Sequence, residues 1–493
     1  MIGSSVYKEN GMFRKIKTAY DNLKPPARAS FWFLICGFLQ KGISMITTPV
    51  FTRIMIDAEF GKFSVYNTWQ NVIQILVSLN LAAGVYTRGL VKNEGDQDRF
   101  SSSMMGLSTT CILVWSVFYF IFQETINRWL DLSVLLMSAM LVEIWAHAGY
   151  QFWTNRERVN YRYKKLIGLT LVYVVLSPVL GAVAVQWADT NSQAEARVLA
   201  TAAVNVALFA ALYVSTWKRG KQFYNKTYWK YALKFNIPLV PHYLSQIVLN
   251  QSDKLMINHF LGPAQAAYYS VAYTLAAALQ ILNNSIAATM NPWIYKTIKE
   301  KRVKHIGKTS YRILLLIAVL NYLVVLAAPE ILKILAPEKY QVAVWVIPPV
   351  TVSVYFMFLY NLFVTFEFYF EKTHYVTGVT IFSAGLNIVL NAIFIPRFGC
   401  AAAGYTTLIC YIVCALLHYN FMRKVVKEFC DNEKVYEGKI IAVIGTALML
   451  CSALTMLLYK YVIIRYLLVA AIVAVCIAKR EQLLRIVNFK KTE

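Results

Sequence analysis

Apolar residues in this chain arrive in runs of roughly twenty, about the length a helix needs to cross the hydrocarbon core of a bilayer. Fourteen such runs can be read, at about 29–52, 62–88, 104–123, 132–152, 166–187, 198–216, 235–258, 264–288, 311–329, 341–365, 373–395, 402–422, 438–459 and 461–478. Several contain Pro or Gly, which bundled membrane helices tolerate when neighbours re-satisfy the freed backbone groups. Composition agrees: 58% of the 493 residues are hydrophobic and 15% charged, with a mean hydropathy of +0.49. A soluble chain of this size carries roughly a quarter charged residues. The fold class expected is an all-α polytopic membrane protein of about fourteen transmembrane helices.

The net charge of +24 is distributed in a way that argues against nucleic acid as a partner. With the amino terminus in the cytosol, 38 of the 49 Lys and Arg fall in cytosolic segments: 8–28, the loops that follow every second run, and 479–491. That asymmetry follows the positive-inside rule with both termini cytosolic. The excess charge orients the chain and meets anionic lipid.

No short apolar core with a small-residue cleavage site precedes the first run, so no removable signal peptide is expected. The eight cysteines form no CxxC pair, and Cys410 and Cys414, four apart on one run, read as packing residues. Outer loops are short, and the largest inner loop is read at about 291–310. No phosphate-cradling G-x-x-x-x-G-K-[ST] loop, G-x-S-x-G or H-E-x-x-H occurs. Neither an enzyme nor a cofactor is expected.

The segment from Arg53 to Gly61 (RIMIDAEFG) is echoed 201 positions later from Lys254 to Gly262 (KLMINHFLG). Six runs separate equivalent positions, so the two halves run in the same direction, related by an axis along the membrane normal. The organisation expected is a cytosolic basic N-terminus (1–28), an N-terminal six-helix bundle (29–216), a cytosolic linker (217–234), a C-terminal six-helix bundle (235–422), a cytosolic loop (423–437), helices thirteen and fourteen (438–478), and a basic cytosolic tail (479–493). The two bundles are pseudo-two-fold related.

Polar residues inside a span are expensive and normally face the bundle interior. On the first span Gly37, Lys41, Ser44, Thr48 and Thr52 fall on one stripe, with Lys41 near mid-span. The repeat maps Lys41 to His242, Pro49 to Asn250, Thr52 to Asp253 and Arg53 to Lys254, and His242, Gln246, Asn250 and Asp253 again share a face. Span two adds Asn67, Asn71, Gln74 and Ser78 on one face, with Arg88 near its cytosolic end. Amides at this spacing either tie helices together or bind sugar hydroxyls. Span four carries Glu143 and His147 one turn apart, either a proton relay or a hydrogen-bonded lock. Asp253 beside Lys254 reads as a coupling site or a structural ion pair, and Glu367 and Glu371 as solvated at the cytosolic mouth of span ten.

The first module reads FLQKGISMITTPVFTRIMIDAEFGKFSVYNTWQ and the second NQSDKLMINHFLGPAQAAYYSVAYTL. In this the chain resembles the polysaccharide transporter branch of the multidrug/oligosaccharidyl-lipid/polysaccharide exporter superfamily, which includes bacterial O-antigen flippases. The resemblance covers the whole length. It implies a V-shaped pair of six-helix bundles around a cavity lined with positive charge, alternating access, and a polyprenyl-pyrophosphate oligosaccharide as cargo. Residue by residue, Lys41 and Arg53 match basic positions of the first motif, and Asp253 and Lys254 the acidic-basic pair of the second. Ala58-Glu59-Phe60-Gly61 matches the turn joining the first two spans.

The reading is therefore a flippase of the bacterial cytoplasmic (inner) membrane that moves lipid-linked oligosaccharide units for O-antigen, capsule or exopolysaccharide. Lys41, Arg53, Arg88 and Lys254 are candidates for the pyrophosphate or acidic sugars. Asn67, Asn71, Gln74, His242, Gln246 and Asn250 are candidates for sugar contacts or cavity lining, and Asp253, Glu143 and His147 for ion coupling. Spans thirteen and fourteen are expected to border a groove for the lipid tail. Partners expected are membrane lipids, a glycan polymerase and a chain-length regulator. The alternatives are a cation-coupled small-molecule exporter of the same superfamily and a non-transporting scaffold of a glycan assembly complex.

Overall fold

The computed structural model describes residues 25–82, 85–430 and 433–479, and among them there is no strand. The expectations on residues 1–24 and 480–493 lie outside the described residues. The first half contains helices α1 (Pro25–Ile54), α2 (Asp57–Ser78), α3 (Val85–Lys92), α4 (Gln97–Ile121), α5 (Gln123–Leu130), α6 (Val134–Val159), α7 (Lys164–Trp187), α8 (Gln193–Gly220) and α9 (Lys226–Asn236). The second contains α10 (Val240–Leu261), α11 (Pro263–Lys299), α12 (Val303–Leu326), α13 (Ala328–Leu335), α14 (Ile347–Tyr369), α15 (Thr373–Phe398), α16 (Cys400–Phe429), α17 (Gly438–Leu457) and α18 (Val462–Ala478).

A helix stands at each of the fourteen apolar runs. Ten of them are long and apolar enough to cross a membrane, and an eleventh span arises if α5 and α6, bent by 92°, count as one. The others fall short for stated reasons. Helices α2 and α10 carry the polar faces picked out above, and α18 has only 17 residues. The chain is a multi-pass α-helical membrane protein.

Several boundaries differ from the sequence reading. The turn between the first two spans is Met55–Ile56, so Ala58 to Gly61 lie inside α2. Span two ends at Ser78, and Arg88 belongs to the separate short helix α3. The inner loop read at 291–310 shrinks to three residues, because α11 continues through Pro292 to Lys299 and α12 begins at Val303. The loop 217–234 holds α9, whose N-cap Asn225 accepts from the amides of Thr227 and Tyr228 at 3.0 and 3.1 Å.

By contact the chain divides into two compact units, Met1–Ile43 with Val77–Leu180 and Leu199–Ile237, and Ser44–Leu76 with Gly181–Val198 and Pro238–Glu493. Tyr86, Phe100 and Phe152 form the aromatic heart of the first, with centroids 5.8 and 4.7 Å apart. Helix α9 is held there by Trp229 Nε1 donating to the Ser103 carbonyl (3.0 Å) and Asn236 Nδ2 to that of Leu79 (2.9 Å). The axis of the second unit is α14, apolar all round and buried at every residue from 347 to 359. Helices α11, α12, α16 and α17 pack around it, and α15 lies against α10 and α16.

Candidate functional site

The most elaborate polar construction lies in the second unit. Asp253, on α10, is 0% exposed. A carboxylate so placed is very costly unless several donors reach it, and three do. Tyr269 of α11 donates its hydroxyl, Thr407 of α16 donates at 2.6 Å, and Asn391 of α15 donates Nδ2 at 2.7 Å. A second shell extends the network. Ser252 Oγ and Asn391 Nδ2 donate to Asn387 Oδ1 at 2.7 and 3.1 Å, and Thr406 donates to Asn391 Oδ1. Four helices thus converge an oxygen-rich cluster on one carboxyl group. Among the described residues no group of three His, Cys, Asp or Glu could hold a metal ion.

Further polar residues of α10 extend the construction toward its amino-terminal end. His242 Nδ1 lies 3.1 Å from Thr380 Oγ1 of α15, and its Nε2 lies 3.3 Å from Gln246 Nε2. Asn250 accepts from Tyr411 of α16 at 2.6 Å and donates back to the Gln246 carbonyl at 2.7 Å. Lys254, next to Asp253, sends its Nζ over the Tyr273 ring, 5.1 Å from the centroid.

Helix α2 meets α10 where Asn71 Nδ2 donates to Gln251 Oε1 at 3.1 Å. Asn67 bonds back to the Phe63 carbonyl at 3.0 Å, and Gln74 is half-buried. Arg53 is exposed and caps a helix end. Its guanidinium donates to the carbonyls of Lys333 (3.4 Å) and Ile334 (3.1 Å), in the last turn of α13, and to Pro49 (2.7 Å). Thr52 donates to Leu335 of the same turn at 2.9 Å. A cation at a helix C-terminus satisfies orphan carbonyls and the helix dipole together.

In the first unit Glu143 is buried and accepts from Asn205 of α8. One turn on, the His147 ring packs on Tyr150 and Phe209, with centroids 5.7 and 5.9 Å away. Gln40, beside Lys41 on α1, donates to Tyr150 and to Thr170 (3.1 Å). Lys41 itself is helical, and its side chain lies outside the described residues. Arg88 is exposed and lies over the Phe235 ring at 5.2 Å.

An apolar cleft of about 230 Å³ opens in the second unit between α14, α16 and α17. Phe356, Phe363, Ala415, Tyr419, Ala442 and Gly445 are among the residues that line it.

Sequence reasoning missed most of Asp253's partners. Asn387 and Asn391, four apart in an otherwise apolar run, were the available signal. Glu367 needs correction: far from being solvated, it is 0% exposed and bonded to His418, equally buried. Glu371 is exposed, as expected.

Comparison with known proteins agrees with this architecture. A sequence model of the family described as polysaccharide biosynthesis protein matches residues 27–298, and one described as MatE matches residues 238–393. A protein of the Lsg locus of Haemophilus influenzae is 23% identical over 71% of this chain and 86% of its own. A Haloferax volcanii protein named as a probable low-salt glycan biosynthesis flippase is 20% identical, over 80% of this chain and 83% of its own. Among solved structures, the inward closed conformation of the lipid II flippase MurJ superposes with a TM-score of 0.68 at 13% identity, covering 91% of this chain and 99% of that one. An outward-facing multidrug resistance MATE transporter gives 0.57 at 12%, covering 84% and 98%. At these identities the structural likeness speaks to the fold alone.

Proposed function

The chain belongs to the polysaccharide biosynthesis protein family, within the multidrug/oligosaccharidyl-lipid/polysaccharide exporter superfamily, and from that premise we propose that it is a flippase for polyprenyl-pyrophosphate-linked oligosaccharide units. It works by alternating access in a bacterial cytoplasmic membrane, with both termini cytosolic. The cargo feeds O-antigen, capsule or exopolysaccharide assembly, alongside a glycan polymerase and a chain-length regulator.

What carries this reading over small-molecule export is the apolar cleft. One of its walls is α17, which follows the twelve spans expected of the two repeats. A cleft of that chemistry suits a lipid tail, and a small soluble drug has no need of it. The head group asks for the opposite environment. A diphosphate in low dielectric requires cations, and Lys41 and Lys254 are the candidates on the long helices α1 and α10. Arg53 would have to release the α13 carbonyls to take part, and Arg88 would act from the short helix α3. Asn67, Asn71, Gln74, Gln246 and Asn250 supply amides suited to sugar hydroxyls. The Asp253 network supports coupling to a hard monovalent cation, since it offers oxygen ligands around a single charge.

A second reading, a cation-coupled exporter of small molecules, is favoured by the MatE match over residues 238–393. Deleting the gene separates the two. The flippase reading expects a lipid-linked oligosaccharide to accumulate facing the cytosol. If no such intermediate builds up and the cells instead become sensitive to small cationic compounds, the exporter reading wins.

A further inference from the structure

Two ionisable side chains meet inside the second unit, outside the Asp253 network. Glu367 lies near the end of α14 and His418 lies on α16; both are 0% exposed. His418 Nδ1 is 2.9 Å from one carboxylate oxygen and 3.1 Å from the other. Among the described residues nothing else hydrogen-bonds this carboxylate, and His418 Nε2 is buried without a hydrogen-bond partner.

The contrast with Asp253 is informative. Its donors are two hydroxyls and an amide, which stay donors at any physiological pH. Glu367 depends on one imidazole, which donates from Nδ1 only while that nitrogen bears hydrogen. Three proton arrangements are open to the pair. A neutral imidazole beside a carboxylate leaves a net negative charge with no compensating cation. An imidazolium beside the carboxylate, or a carboxylic acid donating to Nδ1, leaves the pair neutral overall. Burial favours the neutral arrangements, and both contain one proton more than the first.

The groups facing the pair do not change this count. Tyr360 of α14 stacks on the imidazole at 5.7 Å, and Tyr411 of α16 stacks on Tyr360 at 6.0 Å. Cys414 lies one turn before His418. His374 lies at the start of α15, and His242 lies on α10, which packs against α15. Lys372 is paired with Glu428 at 2.9 Å. Tyr295 of α11 packs on Tyr369, Tyr311 of α12 on Tyr436, and Tyr436 on Phe366. None of these supplies a fixed cation to the carboxylate.

We propose that Glu367 and His418 form a binding site for one proton, whose occupancy ties α14 to α16 and so sets the width of the apolar cleft those two helices wall. Phe363 lies one turn before Glu367, and Ala415 and Tyr419 flank His418; all three line the cleft. With the proton bound, the pair is neutral and stays dry, and the two helices are joined. When the proton leaves to water, an unpaired anion remains. It is relieved by water entering and the helices parting, which widens the cleft. The proposal rests on the chain being a membrane transporter and holds whatever the cargo.

The test needs no glycan. The full chain is placed in vesicles of phosphatidylethanolamine and phosphatidylglycerol on a supported membrane, and the charge displaced by a pH jump is recorded. The wild type should give a transient current that Glu367→Gln and His418→Gln lose and that Glu371→Gln, at an exposed carboxylate outside the pair, keeps. Hydrogen exchange along the ends of α14 and α16 should be pH-dependent in the wild type and flat in Glu367→Gln. A current or an exchange profile unchanged in Glu367→Gln overturns the proposal. Should that variant not fold, Glu367→Asp decides: a displaced midpoint supports the site, and an unmoved midpoint removes it. Loss of the lipid-linked oligosaccharide reading in the deletion strain would leave this result standing, and the reverse holds too.

Discussion

Gly61 leaves no room for a side chain. A Cβ there would lie 1.8 Å from the carbonyl oxygen of Pro263, the residue that follows the second copy of the repeat. The two repeat corners therefore touch, and the glycines that close them do different work. Gly61 permits close approach inside α2, while Gly262 holds φ +85° and ends α10 before Pro263 opens α11. Gly61→Ala is expected to destabilise the protein by about 1–3 kcal/mol through overpacking against backbone, and Gly262→Ala to strain it through φ alone. Thermal unfolding in detergent reads both, and an unchanged midpoint for Gly61→Ala would mean that the corner yields. The same residue-by-residue reading separates two cations. Lys41→Ala and Arg53→Ala should both impair export while the proteins still reach the membrane. Arg53→Ala should in addition lower the melting point, because it strips the end of α13 of hydrogen bonds worth about 1 kcal/mol each. Normal surface glycan in both variants would sink the role of these cations in holding the diphosphate.

At the level of elements, legibility followed length and hydropathy. The long helices could be read because a run of twenty apolar residues is a property of one stretch of chain. Helices α3, α5, α9 and α13 could not, since each has 8–11 residues with charged groups among them. What holds such an element in place was equally hidden. Arg465 on α18 is 1% exposed and grips Glu330 of α13 at 2.6 and 2.7 Å, with a third bond to the Leu326 carbonyl at 2.8 Å. Removing Glu330 strands a buried guanidinium, a loss of about 3–5 kcal/mol for a fully buried pair and less here, where Glu330 is 29% exposed. Glu330→Ala should therefore loosen α18 more than Arg465→Met, as proteolysis in the 458–461 turn would report. The hydrogen bonds from Arg465 hold the Glu330 carboxyl below its ordinary value. A depressed carboxyl contributes stability that is full above its unfolded value, about 4.3, and is lost as pH falls through the lower folded value. Protease sensitivity of the turn should stay flat from neutrality down to about pH 5 and rise only in stronger acid. A rise between pH 8 and 6 would show that another group controls the attachment.

Across the whole molecule, the polar face of α10 was legible because the repeat fixed its register. Its partners Asn387, Asn391 and Thr407 were not, because they lie more than 130 positions away and only folding brings them to Asp253. The Glu367–His418 pair was lost for the same reason, each half looking like an isolated polar residue near a span end. The apolar cleft is the extreme case: three helices from distant parts of the chain make it, and no one of them differs from a lipid-facing helix in sequence. Its role can be tested without disturbing the polar network. Ala442 faces the cleft from α17 and is exposed, so Ala442→Trp should fill the space without crowding the core. If the cleft takes the lipid tail, reconstituted flipping of the full-length polyprenyl cargo should fall sharply. A cargo with the same head group on a short isoprenoid tail should be spared, because its tail does not reach the blocked space. Equal loss for both would assign the effect to the helices' motion, and no loss for either would remove the tail from the cleft. The variant thus asks whether this surface recognises chain length, a property that neither the cationic nor the amide residues can supply.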